Sequence, residues 1–306
     1  MPGGATLHNF VLPFWTWQLV VAIAINVLVQ AIQIGAYAAR LAGVRTSRIA
    51  TSISLFNLFV TASRLATLVY TLMLGPLSDG AGNAVKALLP KNPHLLPPPW
   101  AAEQIAQIQH SFEWQLRAIV FAGMLGTILG SLLLPMFVYM YVRGVRSFER
   151  TKSLPHSLVR LLDWRVIVDI VRAERVPPLA TLRSFSTKGI PRRLLIFNVV
   201  VTGIYAIGVV AAYYASVLDV NVARTAIGIS GIINGIGTIA FTFFVDPTSS
   251  IIVDEAVKGE RPHEDVRSMV FWLALTAIVG WILSQLLLWP AAEIIKVVAH
   301  LVNHGH

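Results

Sequence analysis

Between Arg48 and Gly75 the chain runs for one bilayer's length with a single cation, Arg64, inside it and no acid to balance that cation. At about 1.5 Å rise per residue, Arg64 lies roughly 24 Å along a helix from Arg48, within a hydrocarbon layer about 30 Å thick. An arginine there costs at least about 2.5–3.5 kcal/mol on insertion scales, so it must face protein, water or an anionic ligand. Asn57, Thr61 and Arg64 follow i, i+4, i+7 spacing, with Ser54 three residues earlier, and form one polar stripe. Two readings follow. Arg64 snorkels or pairs with a buried carboxylate for stability, or it holds an anion, as a guanidinium holds phosphate through bidentate hydrogen bonds.

A second stripe precedes it. Asn26, Gln30, Gln33 and Tyr37 share one helical face, with Arg40 about one turn further on and Arg45 and Arg48 close behind. The connection between the two helices is short, which predicts that they are neighbours and that the stripes meet in a polar furrow from the cytoplasm to the midplane. Interhelical hydrogen bonding is the alternative, at about 0.6–2 kcal/mol per contact. Asp246, just before Pro247, caps a turn or a following helix, or else forms a gate ion pair with Arg40 or Arg48 or a protonatable coupling site.

The elements that must hold these residues are membrane helices. Only 13% of the 306 residues are charged, against about 25% in soluble domains, and mean hydropathy is +0.69. Continuous apolar runs predict an all-α integral membrane protein with six spans and exclude a barrel, whose strands would alternate. The spans are expected near Phe14–Ala38, Ile49–Gly75, Leu116–Val142, Leu194–Leu218, Ala223–Val245 and Met269–Val297. The first run lacks a preceding cation and is too long for a signal peptide, so it is expected to stay as a span.

Of the 24 Lys and Arg residues, three fall in loop 1–2, twelve in loop 3–4 and three in loop 5–6. The positive-inside rule puts those loops in the cytoplasm and both termini outside, and Trp15, Trp17, Trp114, Trp272 and Trp289 fall near span ends as interfacial anchors. The proline-rich segment 76–113 reads as an outer loop capping the spans, with a short helix over 101–113. The basic loop 143–193 predicts an interfacial helix near Trp164–Arg172 held by anionic lipids of the inner leaflet at about 1 kcal/mol per cation.

Shifting the chain by 176 residues lays Tyr37 on Tyr213, Arg48 on Arg224 and Ser54 on Ser230; a five-residue gap then lays Pro76 on Pro247. This suggests two inverted three-helix repeats with a site near the midplane between them. The glycines of span three (Gly123, Gly126, Gly130) and span five (Gly228, Gly231, Gly235, Gly237) predict close helix contacts, with bending as a second use.

The chain lacks cysteine, a phosphate-binding Gly-rich loop with Lys, a His-Glu-x-x-His pair and a Gly-x-Ser-x-Gly elbow. An enzyme is disfavoured; no metal, cofactor or nucleic-acid partner is expected. The run Gln33–Thr46, then Arg48–Asn57 with Ser63-Arg64-Leu65, and Phe244-Val-Asp-Pro-Thr-Ser249 resemble the bacterial Amj family of alternate lipid II flippases. The resemblance implies export of undecaprenyl-pyrophosphate-linked peptidoglycan precursor across the cytoplasmic membrane. On that reading Arg40, Arg45 and Arg48 gather the diphosphate, Arg64 holds it at mid-depth, and Asn26, Gln30, Gln33 and Asn57 bind sugar and peptide. A secondary transporter or flippase for another anionic lipid or solute, a lipid-phosphate enzyme and a non-transporting scaffold remain the alternatives.

Overall fold

The computed structural model describes residues 13–92, 95–152 and 185–304. Those residues form helices and connections: α1 (Trp17–Thr46), α2 (Ile49–Leu88), α3 (Pro99–Leu132), α4 (Leu134–Thr151), α5 (Arg192–Leu218), α6 (Ala223–Ala240), a π-helical turn (Phe241–Val245), α7 (Asp246–Val257) and α8 (His263–His304). Six are long and apolar enough to span a membrane, α6, the π turn and α7 counting as one. The expected interfacial helix near Trp164–Arg172 lies outside the described residues.

Local chemistry sets the ends of α1. The Thr16 hydroxyl accepts from the Leu19 N–H (3.2 Å), and Ser47, in the left-handed region at φ 53°, donates its N–H to the carbonyls of Gly43 and Val44. That tight reversal seats α2 along α1, where the Ser52 hydroxyl reaches the Ala39 carbonyl (2.7 Å).

Two expectations give way. Residues 76–88 are helical because α2 runs through Pro76 to Leu88, and the helix expected over 101–113 is the start of α3, which begins at Pro99. A membrane helix tolerates an internal proline where neighbours re-satisfy the freed backbone, and beyond Pro76 the helix is seated on α5, with Leu77, Ser78, Ala81 and Val85 buried. Span three, expected as one helix over 116–142, breaks at Leu133, with Pro135 in the first turn of α4.

The apolar core falls into two clusters at opposite ends of the bundle. One joins Leu19, Leu74, Phe112, Leu116, Tyr214 and Leu288; the other joins Leu41, Leu55, Tyr141, Leu194, Val253 and Met269. On α1 the stretch between them carries Asn26, Gln30 and Gln33.

Candidate functional site

Those three side chains open onto a cavity of about 50 Å³ between the clusters, completed by Thr67 and Tyr70 of α2, Tyr205 of α5, Asn234 of α6 and Trp281 of α8. A water needs about 10–15 Å³ by such a measure, so the space holds a few waters or one small polar substituent. Its lining mixes amide and hydroxyl groups with apolar side chains and carries no formal charge. Asn26 spans the wall, donating through Nδ2 to the Ile119 carbonyl (2.8 Å) and accepting at Oδ1 from Gln30 Nε2 (3.1 Å), while Gln33 Nε2 lies 3.5 Å from the Ser63 hydroxyl. Tyr70 is only 7% exposed, yet its hydroxyl has no hydrogen-bond partner among the described residues.

Asn26, Gln30 and Gln33 of the α1 stripe line the cavity, whereas Tyr37 and the whole α2 stripe do not. Ser54, Asn57, Thr61 and Arg64 are exposed, on a face of α2 roughly a quarter-turn or more from its buried line through Ser63, Tyr70 and Leu74. Arg64 stands one turn from cavity-lining Thr67 and makes no hydrogen bond or ion pair among the described residues. It does not itself line the cavity. The flanking spans α2 and α6 are the two least buried of the six, so the walls beside the cavity face the surrounding lipid.

Toward the loop joining α1 and α2, the molecule is closed. Arg40 Nη2 pairs with Asp246 Oδ1 at the start of α7, the guanidinium largely buried and the carboxylate half-buried. Asp246 is therefore held by Arg40 and does not serve as the N-cap of α7, a place taken by Val245. One turn earlier the Tyr37 hydroxyl donates to Asn198 Oδ1 (3.1 Å), whose amide donates to the Leu273 carbonyl and the Thr276 hydroxyl (2.9 Å each). Arg48 pairs with Glu149 (2.8 Å) at the exposed edge, and Arg45 is exposed without an ion pair among the described residues.

A family model described as "Amj: Alternate to MurJ" matches residues 25–299, the stretch that builds all of these contacts. The chain belongs to the Amj family. A relative from Bacillus subtilis (strain 168), named Lipid II flippase Amj, is 30% identical over 278 residues, covering 90% of this chain and 95% of the relative. No solved structure matches the chain.

The far end of this Amj protein is closed by a network that sequence reasoning missed. Tyr214 donates to Glu113 (3.0 Å), Glu113 pairs with Arg117, and Arg117 and Gln285 exchange bonds with each other's backbone carbonyls (2.7 and 3.1 Å). Ser78 bonds Ser216 (2.8 Å), and the Tyr213 hydroxyl donates to the Thr71 carbonyl in the turn before Pro76 (3.3 Å). Tyr70, Tyr205, Asn234 and Trp281 were also missed as cavity residues. Their signal was a polar or amphipathic side chain at mid-span, but nothing local says which helices will meet. Among the described residues no group of three or more His, Cys, Asp or Glu side chains is placed to hold a metal.

Proposed function

We propose that this protein is a lipid II flippase of the bacterial cytoplasmic membrane, moving the undecaprenyl-pyrophosphate-linked precursor from the inner to the outer leaflet by alternating access. The observation that carries the proposal is an uncharged, amide-lined cavity flanked by the two least buried spans, α2 and α6, with the unpaired Arg64 one turn along α2 from cavity-lining Thr67. Similarity along nearly the whole chain to a relative named for that substrate supports it. A lipid with a diphosphate, a bulky hydrophilic headgroup and a long apolar tail needs a polar path open sideways, so that the tail stays in the bilayer while the headgroup crosses.

In this reading the loop between α1 and α2 is cytoplasmic and both termini are outside, in keeping with the placement of Lys and Arg. Anionic inner-leaflet lipids hold the basic loop. Arg64 and Arg45 are free to take phosphate oxygens, whereas Arg40 and Arg48 are engaged by Asp246 and Glu149 and become available only when those pairs part. Asn26, Gln30 and Gln33 meet the neutral part of the headgroup, Asn57 lies on the approach along α2, and the Arg40–Asp246 pair is the cytoplasmic gate. The test is headgroup translocation of lipid II in proteoliposomes of the purified protein, with a phospholipid as control. Lipid II alone should move; equal movement of both lipids would point to an unselective or different carrier, and movement of neither to a scaffold.

A further inference from the structure

The cavity at Asn26 has a counterpart on the other side of the molecule. Asn26 of α1 donates to the Ile119 carbonyl of α3 (2.8 Å), and Asn198 of α5 donates to the Leu273 carbonyl of α8 (2.9 Å). Laying Asn26 on Asn198 brings buried residues onto buried residues along both helices: Ala22 on Leu194, Val29 on Val201, Ala38 on Val210, Ala42 on Tyr214. Laying Ile119 on Leu273 does the same for Phe112 on Val266, Leu116 on Val270 and Gly126 on Gly280. A side chain at Gly126 would strike the backbone of Val27 and one at Gly280 the carbonyl of Val199, and Val27 falls on Val199 in the same register.

The segments around the two prolines correspond as well, Leu74, Ser78, Ala81 and Val85 matching Val245, Ser249, Ile252 and Ala256, all buried. α1 ends beside Asp246, whereas α5 ends beside Ser78 at the opposite end of the bundle, so the two halves run in opposite senses. The register is 172 residues, from 26 to 198, one helical turn short of the expected 176.

In this register Gln33 falls on Tyr205, and both line the cavity. Tyr37 falls on Val209. Val209 leaves space beside Asn26, while Tyr37 fills the equivalent space and its hydroxyl occupies Asn198 Oδ1, leaving Asn198 0% exposed. We propose that Asn198 is the centre of a second half-site on the cytoplasmic side, sealed in this conformation by Tyr37, and that both half-sites take an uncharged amide or sugar hydroxyl group of the lipid headgroup.

A carboxamide both donates and accepts, as such groups require, and no formal charge lines the formed cavity to favour the diphosphate. Tyr37 and Arg40 lie one turn apart on α1, so withdrawing that face opens the seal and parts the Arg40–Asp246 pair together. The proposal rests on the function above for its orientation and its ligand.

The chain has no cysteine, so single reporters can be placed without background. Val29→Cys reports the outer half-site and Val201→Cys its counterpart, read by a membrane-impermeant maleimide in right-side-out and inside-out vesicles. Tyr37→Phe keeps the ring and deletes the hydroxyl. It should raise cytoplasmic labelling of Val201→Cys severalfold and lower outer labelling of Val29→Cys. Asp246→Asn, which loosens the same side through a different contact, should act in the same direction and serves if the Tyr37 variant is poorly folded. Val201→Cys labelling unchanged by both substitutions overturns the half-site. Labelling does not depend on which lipid is carried: reciprocal labelling without lipid II movement would overturn only the substrate, and lipid II movement with Val201→Cys permanently sealed would overturn only the half-site.

Discussion

Helices α3 and α6 carry the same kind of glycine-rich sequence and meet opposite surroundings. In α3, Gly123 lies against the Trp281 ring, Gly126 against the backbone of Val27 and Gly130 against Ala31, so each missing side chain is where another helix passes. In α6, Gly228, Gly231 and Gly235 have no atom within 4 Å of where a side chain would begin, and only Gly237 of the expected set meets a neighbour, Tyr205. One helix uses glycine to be gripped. The other stays loosely held, and it passes into a π turn at Phe241–Val245 before Pro247, features that bend helices and often mark moving parts. The molecule thus pairs a framework in which helix backbones meet closely at glycines, α1 with α3 and α5 with α8, with the two least buried spans, α2 and α6, which flank the cavity.

That contrast can be broken most forcefully at Gly126. Gly126→Val drives a branched side chain into the Val27 backbone, and overpacking of this sort typically costs about 1–3 kcal/mol or more. A large loss of thermal stability in detergent, or failure to fold, is expected; unchanged unfolding would contradict the tight framework. Next comes Asn198→Leu, which strands the Tyr37 hydroxyl, at about 1–3 kcal/mol for a buried group left unpaired, while the Leu273 carbonyl keeps the Thr276 hydroxyl. Asn26→Leu should cost less, because Asn26 borders the cavity, where water can serve its partner.

Arg40→Gln and Asp246→Asn should each destabilise, and the double variant should recover part of the loss, with a coupling of about 0.5–3 kcal/mol in a double-mutant cycle. The smallest effect belongs to Gly231→Ala, within about 1 kcal/mol and toward stabilisation, since alanine favours helix and nothing stands in its way. A large loss there would mean that the glycine face of α6 is covered.

Much of this was readable from the chain because long apolar runs have few fates in lipid. The spans and the stripe through Asn26, Gln30 and Gln33 follow from hydropathy and a 3.6-residue period. The stripe through Asn57 and Arg64 shows the limit: spacing puts residues on one face but does not say toward which neighbour that face turns. Asp246 was legible as a gate candidate, yet its choice of Arg40 over Arg48 depends on where α7 docks and on Glu149, brought to Arg48 by the break at Leu133. Likewise, registers of 172 and 176 share nearly the same helical face, and only contacts between helices, the matched amide bonds of Asn26 and Asn198 and the glycine approaches to Val27 and Val199, separate them. The prolines misled as loop markers, because Pro76 lies within a continuous helix.

The central claim is that the unpaired cation beside the cavity holds the diphosphate as the headgroup crosses. Lipid II translocation by Arg64→Gln proteoliposomes, at protein levels matched to the parent and with phospholipid movement recorded alongside, tests it most directly. The account predicts that lipid II movement falls to the protein-free rate while expression and folding are retained. Translocation at the parent rate would contradict it, and would return Arg64 to the role of a snorkelling residue on an exposed helix.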